Sequence, residues 1–194
     1  MQRSMRHGST VIAVAVLALA LAGCAKEAPP PKQASPSPTP TEQAAVFVAP
    51  KDCTALLGKP LEDEFLSQGN VLFSSTGGGG IYYPIESTQT GGSPLSCWYG
   101  KDMVDLSSFE LAAQSLTPDA HEGTLSVLEA GGFTEVTNGD VVTFTQVGDE
   151  GTTPAIVHIL RPDSWVTGYR TFGGADSVAT LNGWLATVEA NVYP

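Results

Sequence analysis

The chain has 194 residues, 42% of them apolar and 15% charged, which is enough apolar material for one core with a remainder. Fourteen Pro and 21 Gly predict many turns and at least one stretch that does not fold. A formal net charge of −11 with only 9 basic residues argues against nucleic acid as a partner, because phosphate contacts need Lys and Arg.

Met1 to Ser9 carries Arg3 and Arg6 and no acid, and Val11 to Leu21 is an unbroken run of Val, Ile, Ala and Leu. A helix of that length spans roughly 16 Å, about half of the ~30 Å hydrocarbon core, so the run is too short to cross a membrane. A basic start followed by a short apolar run predicts a secretory signal peptide over residues 1–23. Leu21-Ala22-Gly23-Cys24 resembles the bacterial lipobox. That resemblance implies cleavage between Gly23 and Cys24 and diacylation of Cys24. Each buried CH₂ contributes ~0.8 kcal/mol, and two acyl chains suffice for stable attachment without a span. The expected location is the extracytoplasmic face of the cell membrane, with the membrane itself as a partner through the N-terminal lipid.

Residues 24–50 read as a tether. Pro29, Pro30, Pro31, Pro36, Pro38, Pro40 and Pro50 alternate with small and polar residues, a composition that favours polyproline II and buries no core. Fully extended at ~3.1 Å per residue, it reaches roughly 80 Å. Ser35, Ser37, Thr39 and Thr41 beside prolines resemble an O-glycosylated stalk, although an unmodified spacer has the same composition. Phe47 and Val48 are candidates for the first residues of the folded domain.

With Cys24 assigned to lipid, Cys53 and Cys97 remain, and an even remainder in an exported domain favours a disulfide over two buried free thiols. A loop of about 45 residues corresponds to roughly 4 kcal/mol in the chain-entropy model. Two cysteines without a Cys-x-x-Cys pair are a poor metal site, and no cofactor is expected.

Residues 51–194 form the globular part. Asp52 caps a short helix over Cys53–Leu57, which Gly58 and Pro60 are expected to end. Val71-Leu72-Phe73 and Ser96–Tyr99 read as strands, separated by the Gly77–Gly80 run, Ile81-Tyr82-Tyr83 and a loose Glu86–Pro94 segment. Val104, Leu106, Phe109 and Leu111 change parity, which predicts one strand with a bulge near Ser107-Ser108. Thr117-Pro118-Asp119 starts a helix that runs to Ala130, with Leu125, Val127 and Leu128 inward, and Gly131-Gly132 stops it. Phe133–Val136 and Val141–Val147 flank an Asn138-Gly139 turn, a strong hairpin signal. Ala155–Arg161 and Trp165–Phe172 continue the meander. A closing helix over Ala175–Asn191 carries Val178, Leu181, Leu185, Val188 and Val192 in one stripe, with Trp184 beside it. The fold class is α+β: an antiparallel sheet of about five to seven strands with two main helices packed against it and a short N-terminal helix.

Cys53-x-x-Leu56-Leu57 near the start of the domain, then Cys97-Trp98 at a strand, with the lipobox and the Pro-Ser-Thr tether, resembles a group of small actinobacterial two-cysteine lipoproteins. The resemblance implies a Cys53–Cys97 disulfide and an exported accessory domain without established chemistry. It covers the N-terminal half of the chain.

Catalytic signatures are absent from the sequence: there is no Gly-x-Ser-x-Gly elbow, His-Glu-x-x-His pair or zinc cysteine cluster. His121 reads as a solvated residue of a first helical turn and His158 as a structural histidine in a strand. Gly77–Gly80 is followed by a strand-like segment rather than a helix, so it reads as a loop and not a phosphate cradle. Tyr82, Tyr83, Trp98 and Tyr99 are the candidate binding patch, with half-buried sheet aromatics as the alternative. The expected function is a non-catalytic binding or accessory domain of the envelope, for a protein, glycan or lipid. The alternative is an envelope hydrolase or transferase whose site is assembled from residues distant in sequence.

Overall fold

The computed structural model describes residues 45–76, 95–104 and 106–194. The expected signal peptide, Cys24, most of the expected tether, the Gly77–Gly80 run, Tyr82 and Tyr83 lie outside the described residues.

The elements in chain order are α1 (Cys53–Leu57), α2 (Lys59–Ser67), β1 (Asn70–Thr76), β2 (Leu95–Lys101), β3 (Phe109–Ser115), α3 (Pro118–Ala130), β4 (Thr134–Asn138), β5 (Val141–Gln146), β6 (Ala155–Arg161), β7 (Ser164–Arg170) and α4 (Ala175–Val192). The strands form one antiparallel sheet in the order β1-β2-β3-β7-β6-β5-β4. Two meanders, β1-β2-β3 and β4-β5-β6-β7, are thus joined edge to edge by the β3–β7 pair, while α3 carries the chain between them. The fold is α+β, as the alternation of the sequence predicts. None of the helices among the described residues is long and apolar enough to cross a membrane.

Because side chains alternate along a strand, the sheet has two distinct faces. One buries Cys97, Tyr99, Phe109, Leu111, Val157 and Val166 beneath α1, α2 and α4. The other buries Phe144, Leu160 and Trp165 beneath α3, which contributes Leu128 and Ala120. Burying a side chain of this size contributes roughly 1.5–3 kcal/mol each, so these two layers supply most of the favourable free energy. In α3 the fully inward positions are Ala120, Thr124 and Leu128, while Leu125 and Val127 are half-buried at the margin. The helix begins as its sequence predicts, with the Thr117 hydroxyl accepting from Ala120 N and Pro118 in the first turn.

The α4 stripe docks against β6 and β7, with Leu181, Leu185, Val188 and Val192 fully buried. Its approach depends on Gly168, which pairs with Leu111 and Val157 on the α4 side of the sheet. A Cβ at Gly168 would lie 3.0 Å from Leu181 Cδ2 and 3.3 Å from Leu185 Cδ1. Glycine there lets the helix axis come down onto the strand.

Three expectations are corrected. First, α1 spans Cys53–Leu57 and ends at Gly58 as expected, but Pro60 has no part in that stop; it occupies the first turn of a second helix, α2, where its missing N–H costs nothing. Gly58, at φ +73°, separates the two helices, and α2 buries Leu61 and Phe65. Second, Val104 and Leu106 do not extend β3. They sit exposed in the β2–β3 connection, where Met103 and Leu106 take left-handed backbone angles, so the parity change marks a turn and not a bulge. The bulge of this sheet is in β1, between Leu72 and Ser74. Third, the boundary at residue 51 moves upstream to Phe47 and Val48, the candidates the sequence offers for the first folded residues. Val48 N donates to Val192 O at 2.8 Å, Phe47 N donates to Asp163 Oδ2 at 3.1 Å, and the Phe47 ring meets Tyr193 edge-on.

The disulfide joins Cys53, the first residue of α1, to Cys97 in β2 across a Cα separation of 5.7 Å. Around it, Glu62 of α2 accepts from Thr54 Oγ1 at 2.7 Å and from the Tyr99 hydroxyl at 3.2 Å. Asn191 Nδ2 of α4 donates to Leu56 O, the kind of carbonyl a helix end leaves open.

Candidate functional site

Of the candidate patch Tyr82, Tyr83, Trp98 and Tyr99, the structure describes two residues, and these two do not share a face. Tyr82 and Tyr83 are outside the described residues. Trp98 and Tyr99 are neighbours in β2 and therefore point to opposite faces. Tyr99 is 1% exposed, against Phe65 and stacked on Phe109, so it is a core residue. Trp98 is half-buried on the other face, with the Phe73 ring edge-on against it.

The described residues instead build a cleft of about 640 Å³ at one end of the α1/α2/α4 face. Here β2 ends at Lys101, β3 begins at Phe109 and β7 ends at Arg170, and the pairings Asn70↔Lys101, Tyr99↔Phe109 and Phe109↔Arg170 place the three ends side by side. Strand alternation puts Lys101, Phe109 and Arg170 on the helix-covered side. The end of α2 supplies Glu64 and Gln68, and the first and middle turns of α4 supply Thr180 and Trp184. Leu106 and Phe172, both exposed, form an apolar mouth.

Trp184 anchors the floor. Its ring packs 4.9 Å from Phe65 and 4.8 Å from Phe109, and the Arg170 guanidinium lies 5.6 Å from its centroid. Arg170 is half-buried, and burial holds its guanidinium below the ordinary arginine value. It makes no ion pair with a described carboxylate, and neither does Lys101.

The neutral polar groups of the cleft are already engaged. Ser107 Oγ accepts from Lys101 N and donates to Val104 O, which fixes the β2–β3 connection. Thr171 Oγ1 donates to Ser108 O at 2.8 Å and meets Ser108 Oγ at 2.9 Å. Thr180 Oγ1 donates to Asp176 O, and Asn70 Nδ2 donates to Phe65 O. Gln68 Nε2 donates to Glu64 Oε1 at 3.0 Å.

A second polar group lies on the opposite face, buried within the sheet. Glu110 is 6% exposed and its Oε1 accepts from Ser96 Oγ. Burial raises its carboxyl above the ordinary 4.5, and the Ser96 bond opposes that shift. A carboxyl raised on folding keeps its proton after the unfolded chain has ionised, so stability falls as pH rises from about 4.5 through the raised value. Glu110→Gln removes that dependence. It is expected to raise the melting temperature at pH 7 and to lose the advantage at pH 4, read by thermal denaturation of both proteins. A variant that is destabilised equally at both pH values would contradict the assignment.

His158 is on the same face, fully buried, and is the structural histidine its strand predicts. Its Nδ1 accepts from Trp165 Nε1 at 3.2 Å and lies 2.7 Å from Thr167 Oγ1. His121 is half-buried in the first turn of α3, more enclosed than expected. No group of three or more His, Cys, Asp or Glu that could hold a metal occurs among the described residues.

Sequence reasoning placed Trp184 only beside a stripe and did not single out Lys101 or Arg170. One signal was available for Arg170: it has no acid within five residues on either side. Lys51 and Lys59, in contrast, are paired locally with Asp52 and Asp63. Comparison with protein-family models, curated proteins and solved structures finds no match to this chain.

Proposed function

We propose that the chain is a lipid-anchored, extracytoplasmic binding domain of the cell envelope, with the Arg170–Trp184 cleft as its ligand site. The observation that carries the binding reading is that Lys101 and Arg170 line one cleft and neither makes an ion pair with a carboxylate among the described residues. The volume of the cleft falls within the about 300–1,000 Å³ of usual small-molecule sites, while its lining has more polar and charged residues than apolar ones. The cleft hydroxyls bond to backbone carbonyls or to one another rather than to a general base, which favours binding over nucleophilic chemistry.

The anchoring rests on the sequence: a short apolar run ending in Leu21-Ala22-Gly23-Cys24, then a proline-rich spacer. The Cys53–Cys97 bridge suits an oxidising compartment. Cys24→Ser is expected to abolish metabolic labelling by a radioactive fatty acid and to shift the protein out of the membrane fraction. Undiminished labelling of Cys24→Ser would overturn the anchoring.

A further inference from the structure

We infer that the cleft takes a singly charged organic anion, an acid carried on an apolar body, with Arg170 as the group that binds the charge. The inference rests on the cleft being the ligand site and adds the chemical class of its ligand.

The described domain has five cations, and three are committed to acids. Lys51 pairs with Asp52 at 3.8 Å, Lys59 with Asp63 at 2.8 Å, and Arg161 with Glu189 at 2.7 Å. The two left over are Lys101 and Arg170, and both line the same cavity. In a chain with 20 acids and 9 bases, carboxylates are plentiful, so two cations lining one cleft without an ion pair among the described residues are against the composition. Arg170 is the more telling of the two. A half-buried guanidinium has given up part of its hydration, and its described compensation is the Trp184 ring. Its planar fork of donors matches a carboxylate or a phosphate ester in two parallel hydrogen bonds.

The surroundings define the rest of the ligand. Ser107, Thr171, Thr180 and Asn70 already donate within the protein, so the charged nitrogens are the donors most readily offered to a ligand. Among the described lining residues the charges are Lys101, Arg170 and Glu64, two cations to one anion. The −11 of the whole chain repels polyanions, so a ligand with one charge is admitted more readily than one with several. Leu106 and Phe172 at the mouth and Phe109 and Trp184 at the base give an apolar body a place to be buried. Inorganic anions gain nothing from those contacts.

The test titrates the full-length protein in detergent with 1-naphthoate, with its uncharged isostere 1-naphthamide, and with inorganic phosphate. The readout is the indole Nε1–H resonance of Trp184, with those of Trp98 and Trp165 as internal references. The expected result is that 1-naphthoate shifts Trp184 with a dissociation constant of about 1 mM or below, and that the other two probes bind at least about ten-fold more weakly. Arg170→Gln should weaken naphthoate by at least about ten-fold, and Lys101→Gln, at an exposed position, by about two- to five-fold. Lys101→Gln tests the same point if Arg170→Gln does not fold. Equal binding of naphthoate and naphthamide at Trp184, or an unchanged affinity in Arg170→Gln, overturns the anion and leaves the cleft as a ligand site. Phosphate binding as tightly as naphthoate overturns the apolar body. No Trp184 shift with any probe up to about 10 mM removes both the anion and the cleft as a site for such ligands.

Discussion

Acidification from pH 6.5 toward pH 3 is expected to cost the domain roughly 4–5 kcal/mol through His158 alone. The residue is fully buried in β6, between Thr167 of β7 and Phe144 of β5, with the Phe133 ring edge-on above it. An indole nitrogen only donates, so Trp165 Nε1–H fixes His158 Nδ1 as the acceptor and puts the ring proton on Nε2. Nε2 is buried without a hydrogen-bond partner among the described residues. Charging the ring requires a proton on Nδ1, which breaks the Trp165 bond and places a cation in an apolar layer. Burial accordingly pushes the His158 value down to about 3.

The sign follows directly. The unfolded chain takes up the proton near pH 6.5 and the folded chain near 3, so stability is complete above 6.5 and falls as pH drops between the two. About 3 kcal/mol of the loss falls between pH 6.5 and 4. Glutamine can keep an acceptor toward Trp165 but does not titrate. His158→Gln should therefore lose about 1–2 kcal/mol at pH 7 through imperfect packing and then flatten the profile below it. Urea unfolding of both proteins at several pH values measures this. Parallel pH profiles would show that His158 is not the titrating group. The test is specific because Glu110, on the same face, has the opposite dependence and gains stability as pH falls toward 4.5.

The parts of this fold legible in the sequence are those in which a local pattern and the tertiary structure ask for the same thing. Asn138-Gly139 between apolar runs, Thr117-Pro118 before α3 and the stripe of α4 each satisfy a local rule and a buried face together. Pro60 looks like a stop rather than a start because α2 has only Leu61 and Phe65 to bury, too few for a periodic signal. Val104 and Leu106 look like strand residues because they are apolar, but the left-handed angle at Leu106 turns the chain out of the sheet. Trp98 and Tyr99 do not belong to one patch because adjacent residues of one strand cannot share a face. The cleft was illegible for a different reason: Lys101, Arg170 and Trp184 meet only because β2, β3 and β7 end together, a register that β3–β7 pairing sets and no local segment encodes.

Removal of the disulfide is expected to cost about 2–4 kcal/mol in either single variant, Cys53→Ala or Cys97→Ala. The bridge closes a sequence separation of 44 residues, which includes α2, β1 and the β1–β2 connection. Most of its effect therefore lies in restricting the unfolded chain. The folded structure shows why the native contribution is the smaller part. Even without the bond, Leu56 and Leu57 remain buried, Asn191 holds the Leu56 carbonyl, and Glu62 ties Thr54 to Tyr99. Upstream, Val48 is hydrogen-bonded to Val192, so α1 is held from both sides. Fraying of α1 on reduction should accordingly be limited, and the loss should appear as a lower urea midpoint of the whole domain. The double variant should cost little more than either single one, because the same bond is lost in all three and each cysteine is too small to leave a large cavity. Costs that add across the two sites would show that the cysteines stabilise independently by packing. Alkylation under native, non-reducing conditions, followed by mass measurement, checks the bond itself: with Cys53 and Cys97 bridged, neither takes the label, and labelling of both would mean the bridge does not form.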